Sequence, residues 1–463
     1  MSLPIEFVEK YKNLLGEEES SKFFTAINSP SKKGFRLNPL KNNYQDVQYS
    51  LKEPIEFTKD GYYGEISGRD SEWTGGYVYS QDPSAMYPAV SLNVKPRDKV
   101  LDLCAAPGGK STALASLLAD NGLLVANEIS KSRAKDLREN LERWGATNVV
   151  VTNESPDRLS KKLPHFFDKI LVDAPCSGEG MFRKDPAATQ YWSPDYVLTC
   201  QARQKEILSE AMKMLKPGGQ IVYSTCTYSP EEDEEIVAWL VENYPLEIKP
   251  LKLYSGMSAG RPEWSKSNLP ELKETVRLWF QNGVGEGQFV AHLKNIEENQ
   301  ETSTKAKKRK NKRQKKSTIT RLNKDEISVV AKVLDNFALP SSLENWQNEV
   351  LQSNGHVFVP ALGPDMLTEL HVLNNGVELG LLKKKRFEPS HQLAEVLGQK
   401  EQKQLINFED KVDYERYIHG ETIKVDSNLR GFVLVAYQNH IFSFGKIGND
   451  KILKNFYPKG LRK

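Results

Sequence analysis

The chain has 463 residues, 38% of them hydrophobic, and its 64 Lys and Arg nearly balance 61 Asp and Glu, for a net charge of +3. That length exceeds one typical core, so several domains are expected. No run approaches the ~20 apolar residues of a membrane span, and residues 1–30 carry neither a signal-peptide block nor a transit pattern, so a cytoplasmic location and no membrane partner are expected.

Four cysteines (Cys104, Cys176, Cys200 and Cys226) form no Cys-x-x-Cys pair. Their spacing speaks against a disulfide framework and against a zinc cluster, so no metal is expected.

Residues 1–95 read as an α/β lead-in. A helix is predicted over 4–15 with Gly16 past its end, and "GFRLNPLK" (34–41) and "GGYVYSQDPSAMYPAVSL" (75–92) follow. From 96 to 295 strand and helix alternate. Strands are predicted at 99–104, 123–128, 148–153, 168–174 and 220–226, and helices at 110–119, 130–144, 195–215 and 231–243. That rhythm predicts an α/β fold with a doubly wound, Rossmann-like parallel sheet. Residues 277–295 read as a closing antiparallel pair of strands.

A basic linker is expected over 296–320. Within it "KAKKRKNKRQKK" (305–316) has nine basic residues and no acid, which suits a solvated tether or a strap on a phosphate backbone. A small intermediate domain (321–395) and a mostly β module (396–463) complete the chain. In the latter "GETIKV", "GFVLVAY" and "HIFSFGKI" are short strands cut by polar turns.

The stretch "VLDLCAAPGGKSTALASLL" (100–118) is a strand, a small-residue turn and a helix. Gly108 and Gly109 let the backbone pass close to a ligand at a helix N-terminus. "GGKST" is similar to the tail of a phosphate loop, which keeps a P-loop nucleotide hydrolase as a rival, although Cys104 stands at that motif's first glycine. Glu128 follows the glycines by about 20 residues, the spacing of an acid that binds ribose hydroxyls. It would equally suit the start of the next helix. Without G-x-G-x-x-G, S-adenosylmethionine suits this turn better than NAD. Asn153, Glu154 or Ser155 would reach an adenine, and a plain polar turn before Pro156 reads equally well.

Asp173 and Cys176 follow one predicted strand, and Cys226 follows another, 50 residues on. Carboxyl ends of neighbouring strands share one crevice, so the two thiols should meet there. Cys104 and Cys200 read as inert. A thiolate added to carbon 6 of cytosine makes carbon 5 nucleophilic toward a methyl donor. Cys226 lies before a predicted helix that opens with Ser229-Pro230-Glu231-Glu232, read as a capping box. Lys110 is a candidate cation to favour the thiolate. Asp173 would bond the amino edge and protonated ring nitrogen 3 of cytosine, and the second thiol would help release the product.

CAAPGGK (104–110), DAPCSGEG (173–180) and STCTYSPEEDE (224–234) together resemble the RNA cytosine-5 methyltransferases of the Sun type, above all their bacterial small-subunit ribosomal RNA branch. The resemblance is strong over about 75–295. It implies an S-adenosylmethionine-dependent enzyme that makes 5-methylcytosine in small-subunit (16S) ribosomal RNA, acting on the RNA or the subunit; a monomer is expected. It further implies Cys226 as nucleophile and Cys176 as the release cysteine. Cys176 as nucleophile, as in DNA cytosine methyltransferases, is the alternative. Cys104, Ala105, Ala106, Pro107, Gly108, Gly109, Lys110, Glu128 and Asp173 would line the cofactor site, and Arg133 stands where the family has an arginine.

The chain departs from the family at Asn153-Glu154-Ser155, where an aspartate is usual, and at Phe280-Gln281, where Pro-His is usual. The C-terminal module resembles a PUA-type RNA-binding domain. Its last 13 residues carry five basic and two aromatic side chains, and "LLKKKRF" (381–387) adds charge. A catalytically silent RNA-binding assembly factor is the rival binding class.

Overall fold

The computed structural model describes residues 3–119, 121–298 and 319–462. The basic run 305–316 lies outside the described residues.

Short runs rich in Val, Leu and Ile build the strands around which the rest packs. In the lead-in, β1 (Gly34–Leu37), β2 (Gly61–Tyr63) and β3 (Val78–Ser80) form a three-stranded antiparallel sheet. Five parallel strands follow: β4 (Lys99–Asp102), β5 (Leu123–Asn127), β6 (Val149–Thr152), β7 (Phe167–Asp173) and β8 (Leu215–Thr225). Their spatial order is β8-β7-β4-β5-β6. Alternate residues feed two cores, Val125, Ile170 and Ile221 on one face and Leu124, Leu171 and Val222 on the other. That is why these strands are continuously apolar rather than alternating. The order reverses between β4 and β7, and a crevice opens beyond the carboxyl ends of the strands there.

The strands β11 (Val276–Leu278) and β12 (Gln288–Asn295) are the antiparallel pair predicted near 277–295; β9 (Leu246–Lys249) and β10 (Met257–Ala259), not predicted from the sequence, extend them into a wing, with β12 hydrogen-bonded to β8. Helices Gly109–Leu118, Lys131–Trp144 and Pro194–Met214 fall within a residue of expectation.

Three local predictions need correction. The last crossover helix begins at Glu234, not 231. Residues 230–233 are a turn, and the Ser229 hydroxyl donates to Glu179 instead of capping a helix. Strand β8 starts at Leu215, five residues early, because Gly218 at φ 74° lets the chain turn within a register shift rather than end the strand. The first helix continues to Ala26 past a break at Gly16 (φ 72°, ψ 179°).

That helix is held by aromatic packing. Phe7, Tyr11 and Phe23 are buried against Phe182, Trp192, Tyr228, Trp279 and Phe280. The Phe280 ring lies 4.8 Å from Phe23 and 5.5 Å from Tyr228.

The C-terminal half supplies two more sheets. β13 (Ile319–Arg321), β14 (Leu351–Ser353) and β15 (His356–Val359) precede β16 (Val372–Asn375), and β17 (Val377–Lys383) and β18 (Arg386–Pro389) follow it. β16 leaves its neighbours and pairs antiparallel with β6, making a tenth strand of the central sheet. Gly376, at φ 78°, makes the corner between β16 and β17. A Cβ there would lie 2.1 Å from the Val359 carbonyl oxygen. The last sheet contains β19 (Leu405–Phe408), β20 (Ile423–Lys424), β21 (Gly431–Tyr437), β22 (His440–Ile447) and β23 (Ile452–Asn455). Both sheets' neighbourhoods dock on the lead-in. Lys41 forms a fully buried ion pair with Glu395 at 2.7 Å, and Thr74 Oγ1 lies 2.8 Å from the Tyr414 hydroxyl.

Among the described residues no helix is long and apolar enough to cross a membrane, and no group of three or more His, Cys, Asp or Glu could hold a metal ion.

Candidate active site

β7 and β8 are parallel neighbours with Asp173 beside Ser224 in register. The chain leaves each strand in a loop at the same edge, so Cys176 and Cys226 arrive from adjacent strand ends. Their sulfurs are 3.3 Å apart.

The loops are tied to each other directly. Ser177 Oγ lies 2.9 Å from Thr227 Oγ1, and the Gly180 amide donates to the Cys226 carbonyl at 2.9 Å. Gly180 allows that approach, since a Cβ would stand 2.6 Å from the same oxygen. Two buried carboxylates complete the latch. Glu232 accepts from the Ser177 amide and Gln204. Glu179 accepts from Trp192, Thr227, Ser229, the Tyr228 amide and the Tyr11 hydroxyl. Burial pushes the Glu232 carboxyl up to about 7. The Cys176 thiol is held well above its ordinary value, first by its contact with Cys226 and then by burial.

Asp173 is fixed by three donors. Lys110 Nζ donates to Oδ2 at 2.7 Å, and Ser224 Oγ and Gln288 Nε2 donate to Oδ1 at 2.7 and 3.0 Å. Burial alone would lower the Lys110 ammonium, and the facing Asp173 carboxylate outweighs it, so the net shift is upward. Lys110 is thus committed to Asp173, not turned outward as a phosphate loop requires.

The turn 104–110 crosses the carboxyl end of β4 with a cis Ala106–Pro107 bond and Gly108 at φ 116°. Arg133 donates to the Ala106 carbonyl at 2.6 Å and Asn140 to the Pro107 carbonyl at 2.8 Å. From the lead-in, buried Arg36 donates to the Gly109 carbonyl and Thr112 Oγ1 at 2.7 and 2.6 Å. Glu128 closes β5, with Oε1 accepting from the Ser130 amide at 2.8 Å and Oε2 3.6 Å from Arg133. It therefore does support the next helix, and one of its oxygens still faces the turn's arginine. Ile129 beside it is 67% exposed, an apolar platform at a polar edge.

Asp102 is fully buried below the turn. Ser111 Oγ donates to its Oδ2, while Oδ1 has no partner. Desolvation pushes its carboxyl up to about 7. An acid at a strand end, an exposed apolar side chain beside it, a glycine turn and an unsatisfied carboxylate oxygen are groups that could hold an adenosyl cofactor with a polar tail.

The remaining candidates fall elsewhere. The Ser155 hydroxyl donates to Asp157 at the start of its own helix. Asn153 donates to the backbone carbonyls of Glu128 and Ile129, and so supports the loop that carries Glu128. Glu154 accepts from the His371 amide at 2.6 Å and faces the β16 side. Cys226 does not stand at a helix N-terminus, because the helix starts at Glu234. Burial raises the Cys104 thiol, and it pushes Cys200 up to about 11. Sequence reasoning missed Asp102, Glu179, Ser224, Gln288 and Arg36. Asp102, Glu179 and Ser224 lie inside or beside the sequence motifs of the site; Arg36, in GFRLNPLK, and Gln288, in GEGQFVAHL (285–293), lie in stretches that extend the family resemblance, and the fold brings them to the site.

Residues 89–294 match the family described as 16S rRNA methyltransferase RsmB/F. Residues 3–83, 336–397 and 410–463 match the N-terminal domain, first C-terminal domain and PUA domain of the F-type methyltransferase. A ribosomal RNA small subunit methyltransferase F of Vibrio vulnificus is 31% identical over 99% of this chain and 97% of its own length. One of Klebsiella pneumoniae is 39% identical over 50% of this chain and 53% of its own. Among solved structures, a methyltransferase homolog from Pyrococcus horikoshii covers 63% of this chain and all of its own, with TM-score 0.55 and 31% identity. NSun6 from the same organism, at 22% identity and TM-score 0.53 over 64% of this chain and 99% of its own, shares the fold. The chain belongs to the 16S rRNA methyltransferase RsmB/F family.

Proposed function

We propose that this protein transfers a methyl group to carbon 5 of a cytosine in small-subunit ribosomal RNA through a covalent adduct with Cys226. The observation that carries the reading is the sulfur pair at 3.3 Å beside Asp173, at the edge of the sheet where the 104–110 turn lies. When bound, S-adenosylmethionine supplies an electrophilic methyl group. Glu128 would hold its ribose, Ile129 its adenine, and the Gly108–Lys110 turn with Asp102 its polar tail.

The chain's own residues do the rest. Asp173, held by Ser224, Gln288 and Lys110, offers an anionic acceptor to the amino edge and protonated nitrogen of cytosine, which uracil does not reproduce. Cys226 adds to carbon 6, raising electron density at carbon 5. Cys176, protonated at neutral pH, stands next to the adduct sulfur and supports its expulsion once the carbon 5 proton has left. The base must leave its stack to reach these sulfurs. The basic 305–316 run and the C-terminal module supply backbone attraction.

The test is methylation of 16S RNA with a labelled methyl donor, read by bisulfite sequencing. A cytosine should become resistant to conversion, and Cys226→Ala should abolish the signal while binding of S-adenosylhomocysteine survives. Label on a ribose or a ring nitrogen would refute the reading. Turnover retained by Cys226→Ala would make Cys176 the nucleophile.

A further inference from the structure

Two thiols 3.3 Å apart are separated by about 1.3 Å more than a disulfide bond, which is about 2.05 Å long. Side-chain rotation can close such a gap where the backbone already presents the sulfurs to each other. Here it does, because the Ser177–Thr227 contact, the Gly180 amide on the Cys226 carbonyl and buried Glu232 and Glu179 hold the two loops together. Gly178 has open space around it, so the loop carrying Cys176 has room to yield. Both sulfur residues are partly accessible, as is Cys104, which packs against the sheet core, whereas Cys200 is buried.

We propose that Cys176 and Cys226 form a reversible disulfide when the protein meets a peroxide, and that this bond switches methyl transfer off. Cys226 thiolate attacks one peroxide oxygen. The O–O bond breaks, the sulfur becomes a sulfenic acid, and the departing oxygen leaves as water after taking up a proton. The Cys176 thiol then gives up its proton and attacks the sulfenyl sulfur. The S–O bond breaks, a second water leaves, and the S–S bond forms. Two thiols lose two electrons, and hydrogen peroxide gains them. A dithiol reverses the bond by exchange. The formation of the bond stands on geometry alone, whereas the loss of activity rests on Cys226 being the nucleophile.

The test uses the full chain with hydrogen peroxide, then alkylation under denaturing conditions and peptide mass mapping, with a methylation assay alongside. The expected result is a linked Cys176–Cys226 peptide, alkylation confined to Cys104 and Cys200, and an activity loss of about twentyfold or more that dithiothreitol reverses. The same linked peptide should form in Cys104→Ser/Cys200→Ser, and none in Cys176→Ser. Recovery of Cys226 as free thiol or as sulfinic acid with no linked peptide would overturn the proposal, as would a pairing with Cys104 or Cys200. A linked peptide with undiminished activity would overturn the switch and, separately, the assignment of Cys226 as nucleophile.

Discussion

Lys110 Nζ donates to Asp173 Oδ2 at 2.7 Å across the crevice, joining the 104–110 turn to the end of the strand that leads to Cys176. With Ser224 and Gln288 on its other oxygen, the carboxylate has one orientation. Asp173→Asn removes the charge while keeping the shape, and Lys110→Met removes the facing cation. Each should lower kcat/KM for RNA by about a hundredfold, or ~3 kcal/mol of transition-state stabilisation. Steady-state methylation assays check this, and changes below tenfold in both would remove Asp173 from the chemistry.

Glu179 binds five donors inside the protein and reaches both cysteine loops and the first helix. Truncation to alanine leaves those donors buried without an acceptor. Glu179→Ala should lose about 3 kcal/mol or more of stability, and Tyr11→Phe about 1 kcal/mol. Urea titrations measure both.

Asp102 has a native value of about 7 against an ordinary 3.8. Desolvation sets that rise and nearby Asp173 and Glu128 add to it, while the Ser111 hydrogen bond and the Lys110 charge oppose it. The native state therefore binds the proton more tightly than the unfolded chain. That contribution to stability is complete below pH ~4 and is lost as pH rises through ~7. Without cofactor, stability should fall over this range by at most about 4 kcal/mol from this group. Glu232 adds a slope of the same sign, from 4.5 to about 7. Asp102→Asn should flatten the profile measured by urea unfolding at pH 5 and pH 8, and an unchanged slope would contradict it.

Cys176→Ala should leave a slowly resolved covalent complex with substrate RNA, seen as a shifted band on a denaturing gel. No trapped species, with normal turnover, would take the release role away from Cys176.

Replacing the nine Lys and Arg of 305–316 with Gln should weaken RNA binding. It should also lower the slope of log K against log salt by ~0.7–0.9 for each phosphate that the variant no longer neutralises. A salt dependence equal to the parent's would exclude the strap.

The sequence alone determined the central architecture and the chemical groups. Apolar runs of four to seven residues spaced by helices dictate a parallel sheet, and small-residue turns mark where its strands open on a ligand. Cys176, Cys226 and Asp173 are legible because residues at adjacent carboxyl ends must share an edge. The start of the helix after Cys226 is misread because Ser229 and Glu232 look like a cap locally, while buried Glu179 and the Ser177 amide compete for them in the folded protein. Only tertiary structure decided that Lys110 pairs with Asp173, that Arg36 braces the turn from a separate sheet, and that residues 372–375 join the central sheet. Those contacts join residues as far apart as 63, 73 and over 200 positions, and local periodicity carries no information on which distant donor fills a buried acceptor.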